Sequence, residues 1–441
     1  MPVQFWKKAT YGIAIAIAAT VGLGLAPAIA APAAPIPTPV AIIPVPCSAA
    51  ALSRAVVTAP PSSVLALAPQ CTYVLARGLA ISDTIGLQGP ATITLSRAES
   101  ANQTILTVEA GGNVTTDHVS FAGGDASGAH GNGGAISNNG GTVHVNFGSF
   151  SHNNASAYGG AIYNSGGLLN VFRATFIDNS SQQGGAIENF GTASIIGADF
   201  MTNTAVGYGG AIENDSVATI SSSTFHGNTA YSGGAAYNKK GTLTILDTSF
   251  TNNQTASDRS AVPREIADEP TSGAGVANMG RVILKGDRLD GNGTGTTSKG
   301  GALYNYGKAT LTDSTLSGNK AVAGGGFYNE TRARLIRDTI SANSTAHDGG
   351  GIYNFGWLTI FKSKIHDNHA GLDGGGLLNG AVAKIWGSLF YGNFAGIGGG
   401  AIHDYYIVRL HNTVLRDDKP DNCESRLGAK SCVPRRQVKA G

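Results

Sequence analysis

Apolar and polar positions alternate with a period of two through short stretches of this chain, and the stretches themselves recur. In Gly241–Ile245, Leu243 and Ile245 fall on one side and Thr244 on the other. In Gly159–Asn164, Ile162 and Asn164 share a face, and Ala161 and Tyr163 share the opposite one. That period belongs to strands, and the pieces are too short and too rich in Gly and Thr for helices. The motif GGAIxN or a near copy returns about every 25 residues, at 133–138, 159–164, 184–189, 209–214, 233–238, 273–278, 300–305, 324–329, 349–354, 374–379 and 399–404. Self-similarity at this period marks a solenoid in which each repeat is one coil.

Alignment on the Asn that closes the motif exposes two further constant columns. Eleven positions after Asn189, Asn214, Asn278, Asn305, Asn329, Asn354 and Asn379 stand Phe200, Phe225, Leu289, Leu316, Ile340, Ile365 and Phe390. After Asn138, Asn164 and Asn238 one extra residue is needed to reach Phe150, Phe176 and Phe250. Three positions beyond each apolar residue comes another Asn: Asn153, Asn179, Asn203, Asn228, Asn253, Asn292, Asn319, Asn343, Asn368 and Asn393. The expected fold is all-β, a single-stranded right-handed parallel β-helix of about eleven or twelve rungs stacked about 4.8 Å apart. Constant residues belong inside, so Ile, Phe and Leu should form core columns and both Asn columns should form structural amide ladders at the bends. A leucine-rich repeat shares the period but needs a Leu consensus that is absent.

The ends depart from the repeat. Lys7 and Lys8, the apolar run Ile13–Leu25 and Ala28-Ile29-Ala30 read as a secretory signal peptide over 1–31. A Pro/Ala-rich linker follows at 32–46. Residues 47–110 read as an N-terminal cap and irregular first rungs, with a short helix over Ser48–Ala59 that places Leu52, Ala55 and Val56 on one side. The repeat domain spans 111–418, and 419–441 form a C-terminal cap and tail. Asp404 and Asp418 stand where the ladder Asn residues end. Export permits disulfides; pairing Cys47 with Cys71 and Cys423 with Cys432 would staple each end. The expected location is secreted or cell-surface associated, with no membrane span after cleavage and a monomeric chain.

Composition narrows the classes. With 63 Gly, 13% charged residues and a net charge of +2, the chain fits neither a disordered charged tail nor a nucleic-acid binder.

The fifth motif position reads Ser137, Tyr163, Glu188, Glu213, Tyr237, Ala277, Tyr304, Tyr328, Tyr353, Leu378, His403. Alternation turns this column outward, and its Tyr residues beside tiny neighbours suggest an aromatic groove suited to sugar rings. Glu188 and Glu213, on adjacent rungs, are the candidate catalytic pair, since carboxyls about 5 Å apart serve retaining glycosidases. No cofactor is expected; calcium is the one cation in view, with Glu188, Glu213, Asp215, Asp348 and Asp373 as candidate ligands. Arg332, Arg334, Arg337, Lys362, Lys364 and Lys384 lie on consecutive rungs and could meet acidic glycans. The insertion at 254–272 swells one turn and could form a lip over such a groove.

The GGA[I/L] motif followed by F-x-x-N resembles the repeat of chlamydial polymorphic outer-membrane proteins, over about residues 120–418. The resemblance implies a surface-exposed β-helix used in adhesion. Too few residues follow the last rung for the autotransporter barrel of that family, and the chain looks closer to secreted bacterial β-helix repeat proteins. Its fold is also similar to that of pectate lyases, the pectin-lyase-like solenoid, though no lyase constellation of Asp, Lys and Arg is present. The expected function is a non-catalytic exported rod that binds extracellular polysaccharide or a host or surface protein. The alternative is a polysaccharide lyase or glycoside hydrolase working near Glu188, Glu213 and the 254–272 loop.

Overall fold

A computed structural model describes residues 41–95, 103–128, 131–256, 272–294 and 298–425, all within one compact unit that starts at Val40. The segment read as a signal peptide and residues 32–40 of the linker lie outside the described residues. Among the described residues no helix is long and apolar enough to cross a membrane.

The chain is a parallel β-solenoid. The motif strands build one 14-stranded sheet from Leu79–Ile81 to Cys423–Ser425. That is more coils than the eleven or twelve expected. Leu79–Ile81 and Leu106–Val108 stack before the first GGAIxN, and Cys423–Ser425 stacks after the last, without carrying the motif. A 27-stranded sheet forms the second face and takes two strands from each repeat, the G-x-L-T-I strand and the strand centred on the large apolar residue. The third face is short strands after F-x-x-N. Six of them run from Asp125–Ala126 to Gln254–Thr255, and four more from Lys320–Ala321 to Phe394–Ala395.

Register keeps like residues on like. Ile187 pairs with Ile212, Glu188 with Glu213 and Asn189 with Asn214. A one-residue slip would turn every core residue outward, so the pattern holds the coil in phase. Ile162, Ile187 and Ile212 are buried in the core. So are Phe121, Phe150, Phe176, Phe200, Phe225 and Phe250, whose rings stack with centroids 5.3, 4.7, 4.7, 4.6 and 4.6 Å apart. Beyond the insertion the same column continues as Leu289, Leu316, Ile340, Ile365 and Phe390.

The N-terminal end is closed by helix α1 (Ala49–Thr58), capped by Ser48, with Leu52 and Val56 buried against the first rungs. The Cys47–Cys71 disulfide ties this cap to the solenoid. The linker reading fails at its C-terminal end: Ile42–Val45 is a strand paired to Val64–Leu67. Its Pro44 is tolerated because this strand lies at the sheet edge, where a missing N–H costs no ladder bond. At the other end Cys423 is disulfide-bonded, and Cys432, its expected partner, lies outside the described residues.

Candidate functional site

The two Asn columns form continuous amide ladders. In the first, the Nδ2 of Asn138, Asn164, Asn189, Asn214, Asn238, Asn278, Asn305, Asn329 and Asn354 donates to Oδ1 of the next Asn at 2.7–2.8 Å. Asn379 closes the series on Asp404 at 2.8 Å. The second runs from Asn153 through Asn179, Asn203, Asn228, Asn253, Asn292, Asn319, Asn343 and Asn368 to Asn393, which donates to Asp418. Each amide in this ladder also donates to the carbonyl of the large apolar residue one rung back, as Asn203 does to Phe176. Every amide points the same way along the rod. A carboxylate accepts without donating, so Asp ends each ladder without requiring a further rung.

A third ladder was not read from the sequence. Ser223, Thr248, Asp287, Ser314, Asp338, Ser363 and Ser388 occupy one corner, and each offers an oxygen to the backbone N–H one rung back. Where the residue is Ser or Thr its hydroxyl donates to the carbonyl two residues earlier; where it is Asp the second oxygen accepts the N–H there. Burial pushes the carboxyls of Asp287 and Asp338 up to about 7, against the pull of those two N–H donors. Ser, Thr and Asp alternate in this column, and that variety hid it.

The Tyr column is not the open groove expected. It points away from the core, yet Tyr237, Tyr304 and Tyr328 are buried, and Tyr163 and Tyr353 are half-buried. Alternation gives a side chain's direction and says nothing of what lies over it. Here the residues flanking the motif fold across: Tyr158 and Phe190 pack on Tyr163, Tyr208 on Tyr237, and Phe355 on Tyr353. Tyr208, Tyr231, Tyr237 and Ala277 make a second small apolar cluster outside the main core. Burial and the nearby Glu330 charge push the Tyr304 and Tyr328 hydroxyls far above their usual range, while burial moves Tyr353 to about 12.

Glu188 and Glu213 are stacked as expected from their register, but they are fully buried rather than solvated. Asp215 joins them, and one carboxylate oxygen from each of the three lies within 4.8 Å of the others. Lys239, missed in the sequence, places Nζ 3.2 Å from Glu213 Oε1 and 3.9 Å from Asp215 Oδ2. Burial drives the Glu188 carboxyl well above the ordinary range, with the Glu213 and Asp215 charges adding to it and Lys239 opposing. Burial raises Glu213 to about 7, tempered by Lys239. Asp348 and Asp373 spend carboxylate oxygens on backbone N–H groups, of Asp373 and Gly398, at 3.0 and 3.1 Å. Of the 254–272 insertion, Gln254–Thr255 continues the third face, and residues 257–271 lie outside the described residues.

An open trough does exist, one column farther on. Ser216, Gly241, Gly280, Gly307, Thr331 and Gly356 line its floor, and it encloses about 1260 Å³. The rungs approach closely there: a Cβ at Gly307 would meet the Gly280 carbonyl oxygen at 1.9 Å, and one at Gly356 the Thr331 oxygen at 2.0 Å, so Gly recurs in this column and only the small Ser216 and Thr331 interrupt it. One wall is the in-register column Thr242, Arg281, Lys308, Arg332, Trp357. The other carries Tyr306 and Phe355; Tyr306, Phe355 and Trp357 are 55%, 50% and 58% exposed. Lys240, Arg281, Lys308 and Arg332 are exposed and make no ion pair among the described residues. The two acids at the rim, Asp215 and Glu330, are each met from behind by a lysine, Lys239 and Lys299. Of the basic residues singled out in the sequence only Arg332 lines the trough; Arg337 is bound to Asp313 by two contacts of 2.6 Å, and Arg334 and Lys364 project from strands of the 27-stranded sheet. Lys362 and Lys384 likewise lie outside the trough.

The chain matches no model of a known protein family, no curated protein and no solved structure.

Proposed function

We propose that this protein is a non-catalytic rod that binds an extended acidic polysaccharide along the Gly-floored trough. The observation that carries the reading is the cation column Arg281, Lys308 and Arg332, in register on consecutive rungs and continued by Trp357. From Thr242 to Trp357 it runs roughly 19 Å at about 4.8 Å per rung. Unpaired guanidinium and ammonium groups suit uronate carboxylates, and the exposed faces of Tyr306, Phe355 and Trp357 suit the apolar faces of sugar rings. A linear polymer matches a linear trough. An exported, surface-associated rod also accords with the likeness of the repeats to those of polymorphic outer-membrane proteins.

The enzymatic alternative at Glu188 and Glu213 has less support. Both carboxyl groups project from one sheet on adjacent rungs and are sealed from solvent. A glycosidase needs its two carboxyls on opposite sides of an accessible bond.

Affinity electrophoresis tests the proposal. Gels containing polygalacturonate or alginate should retard the protein, less so as salt rises, and a neutral glucan should not. Equal retardation by the neutral polymer, or stronger retention by single-stranded DNA of matched charge, would refute it.

A further inference from the structure

We infer that the recess formed by Glu188, Glu213 and Asp215 binds one hard divalent cation of the calcium class, next to the Lys239 ammonium. This stands apart from the glycan reading. Four buried carboxylate oxygens in the recess have no hydrogen-bond partner: both of Glu188, Oε2 of Glu213 and Oδ2 of Asp215. Lys239 serves Glu213 Oε1 directly, and at 3.9 Å it is too far to hydrogen-bond Asp215. With all three carboxyls ionised, as a bound cation would hold them, Lys239 offsets one charge and Lys240 acts on Asp215 alone from the rim, while Glu188 and Glu213 are sealed from water. Unpaired buried charge is not tolerated without a partner.

A proton is the simplest remedy, but each proton brings a single O–H donor, so four orphan oxygens need two. One dication supplies the missing positive charge and can be shared by one oxygen from each of the three carboxyls. Spacing agrees: ligand atoms within 4.8 Å of one another fit around one ion, since opposite ligands of Ca²⁺ sit about 5 Å apart, twice an ordinary Ca–O distance. Mg²⁺ demands a tighter octahedron, which an in-register carboxyl pair held by the sheet cannot contract to form. Hard oxygen donors without sulfur or imidazole point away from zinc and copper. Asp215 lies on the rim of the trough and gives the ion a way in.

Calorimetric titration of the EDTA-stripped full chain with calcium chloride, without any glycan, tests this. One saturable site is expected, with calcium binding at least tenfold tighter than magnesium. Glu188→Gln and the milder, rim-located Asp215→Asn should each weaken calcium binding at least tenfold. Lys239→Met should tighten it by removing the competing charge, and the remote Asp290→Asn should leave it unchanged. Absence of saturable binding by the wild-type chain, equal binding by the Asp215→Asn variant, or tighter binding of magnesium would overturn the inference.

Discussion

The solenoid before the insertion and the solenoid after it share one backbone and both Asn ladders, and differ in what fills the core, the corner and the outer face. Before it, the core carries a stack of Phe rings, the corner ladder is Ser223 and Thr248, and the motif sheet carries the sealed pair Glu188 and Glu213 on its outer face. After it, the core column turns mainly aliphatic, Asp287 and Asp338 enter the corner ladder, and exposed cations line the trough wall. The short strands of the third face also break off at Gln254–Thr255 and resume at Lys320–Ala321. The lesson is that register separates the columns. Each column touches mainly its own kind one rung away, so core filling, corner chemistry and outer charge can change independently along the rod.

The strongest way to break the comparison is through the core. Phe225→Ala leaves a ring-sized void between two stacked rings and should destabilise by about 3–5 kcal/mol; Leu316→Ala, at the equivalent position after the insertion, should cost about 2–4 kcal/mol. Hydrogen exchange, which reports each rung separately, is the suitable measurement, because a repeat array need not unfold in one step. Next comes the ladder. Asn214 accepts from Asn189 and donates to Asn238 at 2.8 Å each, so Asn214→Ala strands buried polar groups and should cost about 1–3 kcal/mol. Asn214→Asp should also destabilise, because a carboxylate cannot donate onward in mid-array. An unchanged melt for both would remove the ladder from the account of stability.

The corner ladder gives a pH test. The Asp338 carboxyl titrates at about 7 in the folded chain against 3.8 unfolded, so between those values the folded state holds the extra proton. Stability from this group is therefore full below about pH 4 and is lost as pH rises towards 7. Asp338→Ser, which copies the flanking Ser314 and Ser363, should flatten this fall by about 1–3 kcal/mol across the window. Thermal melts at pH 5 and pH 8 check it; the variant should gain relative to wild type at the higher pH. A wild-type-like pH profile would count against a buried, proton-holding Asp338.

The fold was legible because it repeats. Ile162, Phe176 and Asn164 each recur at a fixed offset, and a column that must be buried in every rung writes itself into the sequence. Coils without the motif, such as Leu79–Ile81, were legible only as irregular first rungs and could not be counted, because their backbone path repeats along the rod and their residues do not. The candidate site was less legible. The direction of the Tyr column followed from alternation, but its cover came from residues outside the constant columns: Tyr158 and Phe355, which flank the motif on the same rung as the Tyr they meet, and Phe190 from the next rung. Lys239 follows Asn238 in a column that elsewhere holds Phe190, Asp215 and Tyr306, so no periodicity marked it as the partner of Glu213. The trough wall could have been found by reading the residue after the turn Gly down the repeats, as Arg281, Lys308, Arg332 and Trp357 stand in one line there.

The most direct measurement compares two charge-matched variants of the full chain for binding to polygalacturonate at low salt. One replaces Lys308 and Arg332 in the trough by Gln; the other replaces Arg334 and Lys364, exposed on the 27-stranded sheet outside it, by Gln. The trough variant should lose binding by about tenfold while the second stays within about twofold of wild type, each of the two contacting substitutions being worth about 0.7 kcal/mol. Equal losses in the two variants, or none in the first, would contradict a polysaccharide site in the trough.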